Sequence, residues 1–216
     1  SEMCIRDRDL LFTVSKWTGD NKYKDVAIKH AITTMKNHFR PDYTCWHVVS
    51  YNNDGTVERK QTHQGKNDDS SWSRGQAWAV YGYTSCYRET NDTTFLNFAV
   101  NIADMIMERV KTDDAIPYWD YDAPVTKETP RDASAAAIMA SGLIDLSKYV
   151  SEKEKNRYIN FAQKQLRTLA SEEYLARGGT NHCFLLKHSV GSLPGKSEVD
   201  VPQTYADYYF IEALLK

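Results

Sequence analysis

The sequence predicts an all-α fold: a toroid of (α/α) helical hairpins of which a little over half is present. Three observations predict it. An aromatic–apolar–Ala pattern recurs three times along the chain, each time at helical spacing. Amphipathic helices alternate with helices that carry no charge at all. The long, aromatic-rich connections all run from an outer helix to the next inner one, so their polar residues should converge on one end of the inner helices.

The elements follow in order. A first helix is expected over 9–17, opened by Leu10-Leu11-Phe12. An outer helix over 20–38 starts after Thr18-Gly19-Asp20, and its buried stripe is Tyr23, Val26, Ala27, His30, Ala31 and Thr34. A strand-like run, Trp46–Tyr51, lies in the connection that follows. The inner helix over 75–89 contains GQAWAVYGYTSCY, with no charged side chain, so it should be buried on most sides. Thr90-Asn91-Asp92 then starts an outer helix over 92–110, with Phe95, Phe98, Ala99, Ile102, Ala103 and Ile106 facing inward. Pro117–Tyr121 is the next strand-like run. ASAAAIMASGLI (Ala133–Ile144) begins an inner helix over 133–149 made largely of small residues. Ser151-Glu152 opens the third outer helix, 152–171, with Tyr158, Phe161, Ala162, Leu166 and Leu169. Cys183–Leu186 is a third strand-like run, and a last helix is expected over 204–216. That makes seven helices, where a closed barrel of six hairpins needs twelve. The count predicts an uncovered inner face towards the N-terminus.

Composition narrows the function classes. The 216 residues are 41% hydrophobic, ample for a sizeable core, and include 14 Tyr and 5 Trp. A net charge of −2 gives no footprint for nucleic acid or an anionic membrane, and no apolar run approaches a membrane span. Cys4, Cys45, Cys86 and Cys183 are isolated, without zinc spacing, and read as free thiols of a reducing compartment. Ser1–Arg8 has no apolar core of a signal peptide and does not extend the helical pattern after it. Residues 1–8 are therefore expected to be a non-native or unstructured lead, and 9–216 a single partial barrel domain.

Arg74 precedes Gly75 at the mouth of the first charge-free helix. A guanidinium there either clamps a ligand carboxylate through two parallel bonds or pairs with Asp68 or Asp69. Trp78 lies one turn on and is either a platform for a sugar ring or a core residue. His47, His63 and Gln64 lie in the connection feeding this helix, and two histidines in one loop point towards a ligand. They lack metal-ligand spacing, so no metal is assigned. His188 holds a similar place after the last hairpin. Asp132 reads as the N-cap of the second inner helix, while Asp120 and Asp122 are unassigned acids of an aromatic loop. No spacing identifies a glycosidase carboxyl pair. The residues alone lead to a cleft for a saccharide or acidic ligand.

Several motifs in one order resemble the unsaturated glucuronyl hydrolases of glycoside hydrolase family 88. They are HVV (His47–Val49), THQG (Thr62–Gly65), S-x-W-S-R-G-Q-A-W-A-x-Y-G (Ser70–Gly82) and PYWDYDAP (Pro117–Pro124). D-A-S-A-A-A-I-x-A-S-G-L (Asp132–Leu143), EVDVP (Glu198–Pro202) and YADYYFIEALL (Tyr205–Leu215) complete the set. The resemblance covers the chain from about Leu10 onward. It implies an (α/α)6 barrel acting on oligosaccharides that end in a 4,5-unsaturated glucuronic acid. In the family's reaction a carboxylic acid protonates C4 of the vinyl ether and water adds at C5. The hemiketal so formed opens and releases the remaining sugar. No cofactor is implied, and the partner is the unsaturated uronic-acid oligosaccharide.

The substrate contacts implied by the resemblance are His47, His63, Gln64, Arg74 and Trp78. The family's aspartates are not transferred. One lies far upstream, and the other belongs to a D-x-M-M-N stretch whose place is held here by Ser1–Arg8. The resemblance thus predicts an N-terminally truncated, inactive fragment that keeps the substrate-binding motifs. Bacterial cytoplasm and periplasm both stay open as locations. Two alternatives stand beside this reading: a related barrel hydrolase of unsaturated rhamnogalacturonan products, and a non-catalytic saccharide-binding domain.

Overall fold

The computed structural model describes residues 7–216. Among the described residues seven α-helices form two layers. The inner row is α1 (Arg8–Thr18), α3 (Ser73–Thr90), α5 (Ala133–Leu146) and α7 (Thr204–Leu215). Along this row α1 packs on α3, α3 on α5 and α5 on α7. The outer helices α2 (Lys22–His38), α4 (Thr93–Arg109) and α6 (Glu152–Leu169) cover α1, α3 and α5 respectively. All seven predicted helices are present, with ends shifted by at most two or three residues. The largest shift is at 147–149, which tighten into a 3₁₀ turn after α5.

The helix ends follow from local chemistry. Gly19 ends α1 in the left-handed region at φ 71°, donating its N–H to the Ser15 carbonyl. Asp92 and Asp132 cap α4 and α5 by accepting the N–H groups of Thr94 and Ser134. Ser151 and Glu154 form a reciprocal capping box at α6. In α3, every residue from Ser73 to Cys86 is buried, as the absence of charge from Gly75 to Tyr87 leads one to expect; Arg74 is the exception among them. Tyr83 anchors its outer side: the ring packs edge-on against Phe39 and Phe98, and its hydroxyl donates to the Ala31 carbonyl on α2. Small residues let α5 approach α3 closely. A methyl group on Gly142 would meet the Cα and N of Tyr81 at 3.1 Å, so any larger residue would part the two helices.

Sheet structure departs from expectation. Two antiparallel hairpins form, β1 (Val48–Tyr51) with β2 (Val57–Gln61), and β3 (Ser189–Ser192) with β4 (Ser197–Val201). Only β1 falls in a predicted strand-like run. Pro117–Tyr121 makes isolated bridges, Trp72 to Asp120 and Tyr118 to Arg131. Cys183–Leu186 begins on the last residue of a 3₁₀ turn, Asn181–Cys183, and contributes one bridge, Leu175 to Leu186. The missed strands are polar or glycine-containing, VERKQ and SVGS, and their pairing is set by the partner strand.

The expected lead is only partly described. Residues 1–6, Cys4 among them, lie outside the described residues. Arg8, expected in an unstructured lead, begins α1 instead and is buried, its guanidinium 4.7 Å from the Tyr83 ring centre. Cys86 and Cys183 are free thiols, and the Cys45 sulfur accepts a hydrogen bond from Gln76. Among the described residues no helix is long and apolar enough to cross a membrane.

Candidate functional site

The loop 62–72 leads into α3 and gathers the predicted residues. Its fold is dictated by buried acceptors that meet its backbone N–H groups. The wholly buried Asp120 accepts Lys66 N at 2.9 Å and Ser70 Oγ at 2.7 Å, and its other oxygen accepts Asp122 N. Asp122 accepts Ser71 N at 2.8 Å and pairs with Arg109 at 2.6 Å. The two acids therefore hold the loop; neither stands as an isolated acid in a cleft. Gly65 is required where it sits, because a Cβ there would lie 2.6 Å from Thr62 Oγ1 and 3.1 Å from Asp120 Oδ2.

His47 is buried beneath this loop. Its Nδ1 accepts the backbone N–H groups of both His63 (3.0 Å) and Gln64 (3.1 Å). Two donors on Nδ1 fix the neutral tautomer with its proton on Nε2. The ring stacks on Trp72, centres 4.6 Å apart, and the Arg74 guanidinium lies 4.3 Å from the Trp72 ring centre. His47, Trp72 and Arg74 thus form a continuous stack. The sequence marks Trp72 only as part of the motif Ser70–Gly82; its place in the stack comes from the fold.

Arg74 pairs neither with Asp68 nor with Asp69. It is buried and bound to Asp132 at 3.0 Å, to Ser134 Oγ at 3.2 Å and to the carbonyls of Val190 and Gly191. Asp68 turns outward, where it accepts Thr62 N and faces Arg59. A buried guanidinium needs a partner that is itself desolvated, and the N-cap of α5 is the one at hand. Asp132 so performs two tasks, capping α5 and neutralising Arg74. The Gln64 side chain donates to the same Gly191 carbonyl at 2.7 Å. Gln64 and Arg74 together fasten hairpin β3–β4 to the mouth of α3.

Four predicted residues, His47, His63, Gln64 and Arg74, thereby meet in one cluster at the helix mouth, and His63 is exposed at its surface. Trp78 lies apart from it, one turn deeper and buried. It packs edge-on against Tyr209 of α7 at 5.0 Å and near Tyr205 at 6.3 Å. His188 also stands outside the cluster, paired with Asp200 at 2.6 Å and edge-on to Tyr174. Tyr205 joins the mouth from α7, its ring centre 5.3 Å from the Arg74 guanidinium carbon. Sequence reasoning had only its place in a motif to mark it.

Comparison with known proteins places this arrangement. The model of glycosyl hydrolase family 88 matches residues 9–209. An unsaturated glucuronyl hydrolase of Formosa agariphila is 47% identical over 208 residues, covering 95% of this chain and 51% of that protein. The crystal structure of an unsaturated glucuronyl hydrolase specific for heparin superposes with a TM-score of 0.94 at 47% identity, over 98% of this chain and 57% of that one. A Streptococcus agalactiae unsaturated glucuronyl hydrolase variant complexed with dGlcA-GalNAc6S gives a TM-score of 0.87 at 32% identity, over 98% and 56%. The chain spans about half the length of the relatives it matches. With a family match across nearly its whole length and the helical layers superposing on solved members, the chain belongs to glycosyl hydrolase family 88.

Proposed function

We propose that this chain is the saccharide-holding part of a hydrolase that removes a terminal 4,5-unsaturated glucuronic acid from oligosaccharides. The observation that carries the reading is the convergence at the mouth of α3. His47 orients the backbone of His63 and Gln64, while Gln64 and Arg74 grip one carbonyl of hairpin β3–β4. In this reading His63 and Gln64 meet the sugar at the surface. His47 and Arg74 reach it from behind, through the stack on Trp72, and Trp78 backs the wall they form.

The reaction proposed is a hydration. A proton adds to C4, and water oxygen bonds to C5 and gives up its own proton. The C5 hemiketal then opens by breaking its bond to the ring oxygen, which leaves a ketone at C5 and a hemiacetal at C1, and that hemiacetal collapses to an aldehyde as it releases the alcohol of the next sugar. Such chemistry needs a carboxylic acid near C4, and none of the acids placed here has that role. Asp120 and Asp132 are engaged in holding loops and caps. The proton donor is therefore proposed to belong to a part of the protein outside this chain, and the chain alone is proposed to be inactive. One relative is named as specific for heparin, which makes a heparin-derived unsaturated disaccharide the first substrate to offer.

The test joins this chain to the upstream half of a family member and follows the near-ultraviolet absorbance of the unsaturated uronide. Bleaching by the joined protein, with none by the chain alone, is the expected outcome. An intact, folded joined protein that leaves every glucuronyl disaccharide untouched overturns the reading. Faster turnover of an unsaturated rhamnogalacturonan disaccharide would instead select the related hydrolase.

A further inference from the structure

Most acids around the mouth are spent on the fold. Asp120 holds the loop, and Asp132 caps α5 and pairs with Arg74. Asp200 pairs with His188, and Asp207 of α7 accepts the N–H groups of Leu185 and Leu186. Glu198 on β4 is different. It is exposed and has no ion pair among the described residues. Its carboxylate accepts a single hydrogen bond there, from Gln203 Nε2 at 3.4 Å. Two carboxylate oxygens can accept about four hydrogen bonds, so the protein leaves most of that capacity unused.

The β3–β4 ladder brings this carboxylate to the cluster. Val190 opposes Val199 and Ser192 opposes Ser197, so Gly191 and Glu198 lie opposite each other between them. Gly191 leaves the room: a methyl group on it would collide with the Glu198 carboxylate and lie 2.6 Å from the Glu198 Cβ. The carbonyl of the same Gly191 accepts Gln64 at 2.7 Å and Arg74 at 3.1 Å. A second route joins Glu198 to Arg74. The Tyr205 hydroxyl donates to Gln203 Oε1, which turns the Gln203 amide nitrogen towards Glu198, and the Tyr205 ring lies beside the Arg74 guanidinium. Glu198 itself is held in the left-handed region at φ 54°, uncommon for a residue with a Cβ. Such backbone persists where its surroundings fix it, and it recurs at ligand clamps.

We propose that Glu198 is a further saccharide contact of this site, its carboxylate accepting two neighbouring hydroxyl groups of the bound sugar. The choice of a sugar rests on the functional reading above; the choice of a hydroxyl donor rests on the carboxylate. A group that only accepts hydrogen bonds selects a partner that brings donors. It disfavours the same position carrying a sulfate, which brings charge of its own sign and no donor. The charge of Arg74 is already matched by Asp132. Lys196, two residues earlier on β4, is exposed and does not pair with Glu198 among the described residues. Neighbouring hydroxyls occur on C2 and C3 of the unsaturated uronate and also on the sugar next to it, so sulfation of one unit or the other separates the two sources.

The experiment is calorimetric titration of this chain with three unsaturated glucuronyl disaccharides: one unsulfated, one sulfated on the uronate, one sulfated on the neighbouring sugar. The unsulfated form should bind. Glu198→Ala should weaken that binding about tenfold and Glu198→Gln about threefold. One sulfated form should bind the natural chain about tenfold more weakly than the unsulfated form, and Glu198→Gln should narrow that gap to about threefold. The form that does so identifies the sugar that Glu198 meets. Lys196→Gln should leave the unsulfated affinity unchanged. Equal weakening of all three ligands in both Glu198 variants would show that the residue only supports the hairpin, and overturns the contact. A gap that is absent from the natural chain, that Glu198→Gln leaves untouched, or that follows Lys196 instead overturns it too. Full affinity in both Glu198 variants, while Gln64→Ala weakens binding, overturns this inference and leaves the functional reading standing. No binding of any of the three removes the functional reading, and this inference with it.

Discussion

The two ends of the inner helices solve the same electrostatic problem in opposite ways. At the mouth, Arg74 meets Asp132 with side chains 4% and 0% exposed. At the far end of the same two helices, Arg88 on α3 is 35% exposed and contacts Asp145, Asp9 and Glu89. One end holds a single dry pair, satisfied on every side by hydroxyls and carbonyls; the other holds a wet cluster of several charges. The contrast teaches where rigidity is located. A dry pair tolerates only one geometry, because any loosening leaves a charge without water or partner. A wet cluster can rearrange at little cost. His47, His63, Gln64 and Arg74 are at the dry end.

Breaking the dry pair is expected to have the largest effect. Asp132→Ala strands a buried guanidinium and removes the cap of α5, so it should lower unfolding free energy by about 3–5 kcal/mol. Urea denaturation measures this. Replacing both partners, as Arg74→Met with Asp132→Leu, should cost less than Asp132→Ala alone, since no charge is then stranded. A double variant less stable than the single one would show that the pair is not the source of the loss.

The mouth end is also expected to be the acid-sensitive one. His38 closes α2 beside it and is buried; burial lowers its pKa from 6.5 to about 4. Above pH 6.5 the ring is neutral in both folded and unfolded chains and contributes no pH dependence. As pH falls from 6.5, the unfolded chain takes up the proton first, so stability declines until about pH 4 and then levels off. The difference of 2.5 pH units corresponds to roughly 3 kcal/mol. Denaturation midpoints between pH 7 and 4 should fall more steeply in the natural chain than in His38→Gln. Identical slopes would remove His38 as the cause.

How far the sequence made this legible follows from range. The helices were readable because their signals are local: the aromatic–apolar–Ala stripe, the capping residues, the charge-free runs. Asp132 was readable as a cap, since its bond to Ser134 N spans two residues. Its bond to Arg74 crosses 58 residues, so the neighbouring Asp68 and Asp69 looked like equal partners although both turn away. Trp72 drew no notice for the same reason. Its role comes from His47, stacked on its ring, and from the Arg74 guanidinium, and only folding brings His47 to the other two. Strands β2 to β4 were missed because polar and glycine-containing segments take strand form from their partners. The family motifs marked the site as a place, but the division between residues that hold and residues that face outward is a property of the fold.

The smallest expected effect belongs to the wet end, and it distinguishes the two ends most cleanly. Arg88→Gln removes contacts to Asp145 at 2.7 Å, Asp9 at 3.2 Å and Glu89 at 3.3 Å; Arg88 and Asp9 are open to water at 35% and 30% exposed, while the Asp145 and Glu89 carboxylates are only 7% and 9% exposed. Lys148 also faces Asp145, and Lys16 faces Glu89, so two of the three carboxylates keep a cation in the variant. Asp9 is left exposed to its own surroundings, and burial already pushes its carboxyl up while Arg88 opposes that. It can accept a proton instead of remaining as a stranded charge. The loss should therefore be about 1 kcal/mol at low salt and shrink further at 1 M salt, where screening acts within about 3 Å. The Asp132→Ala loss should keep its size in the same salt series, because its charge is shielded by protein and not by solvent. Denaturation of the two variants at low and high salt decides the matter: equal salt dependence would mean that the two ends are electrostatically alike.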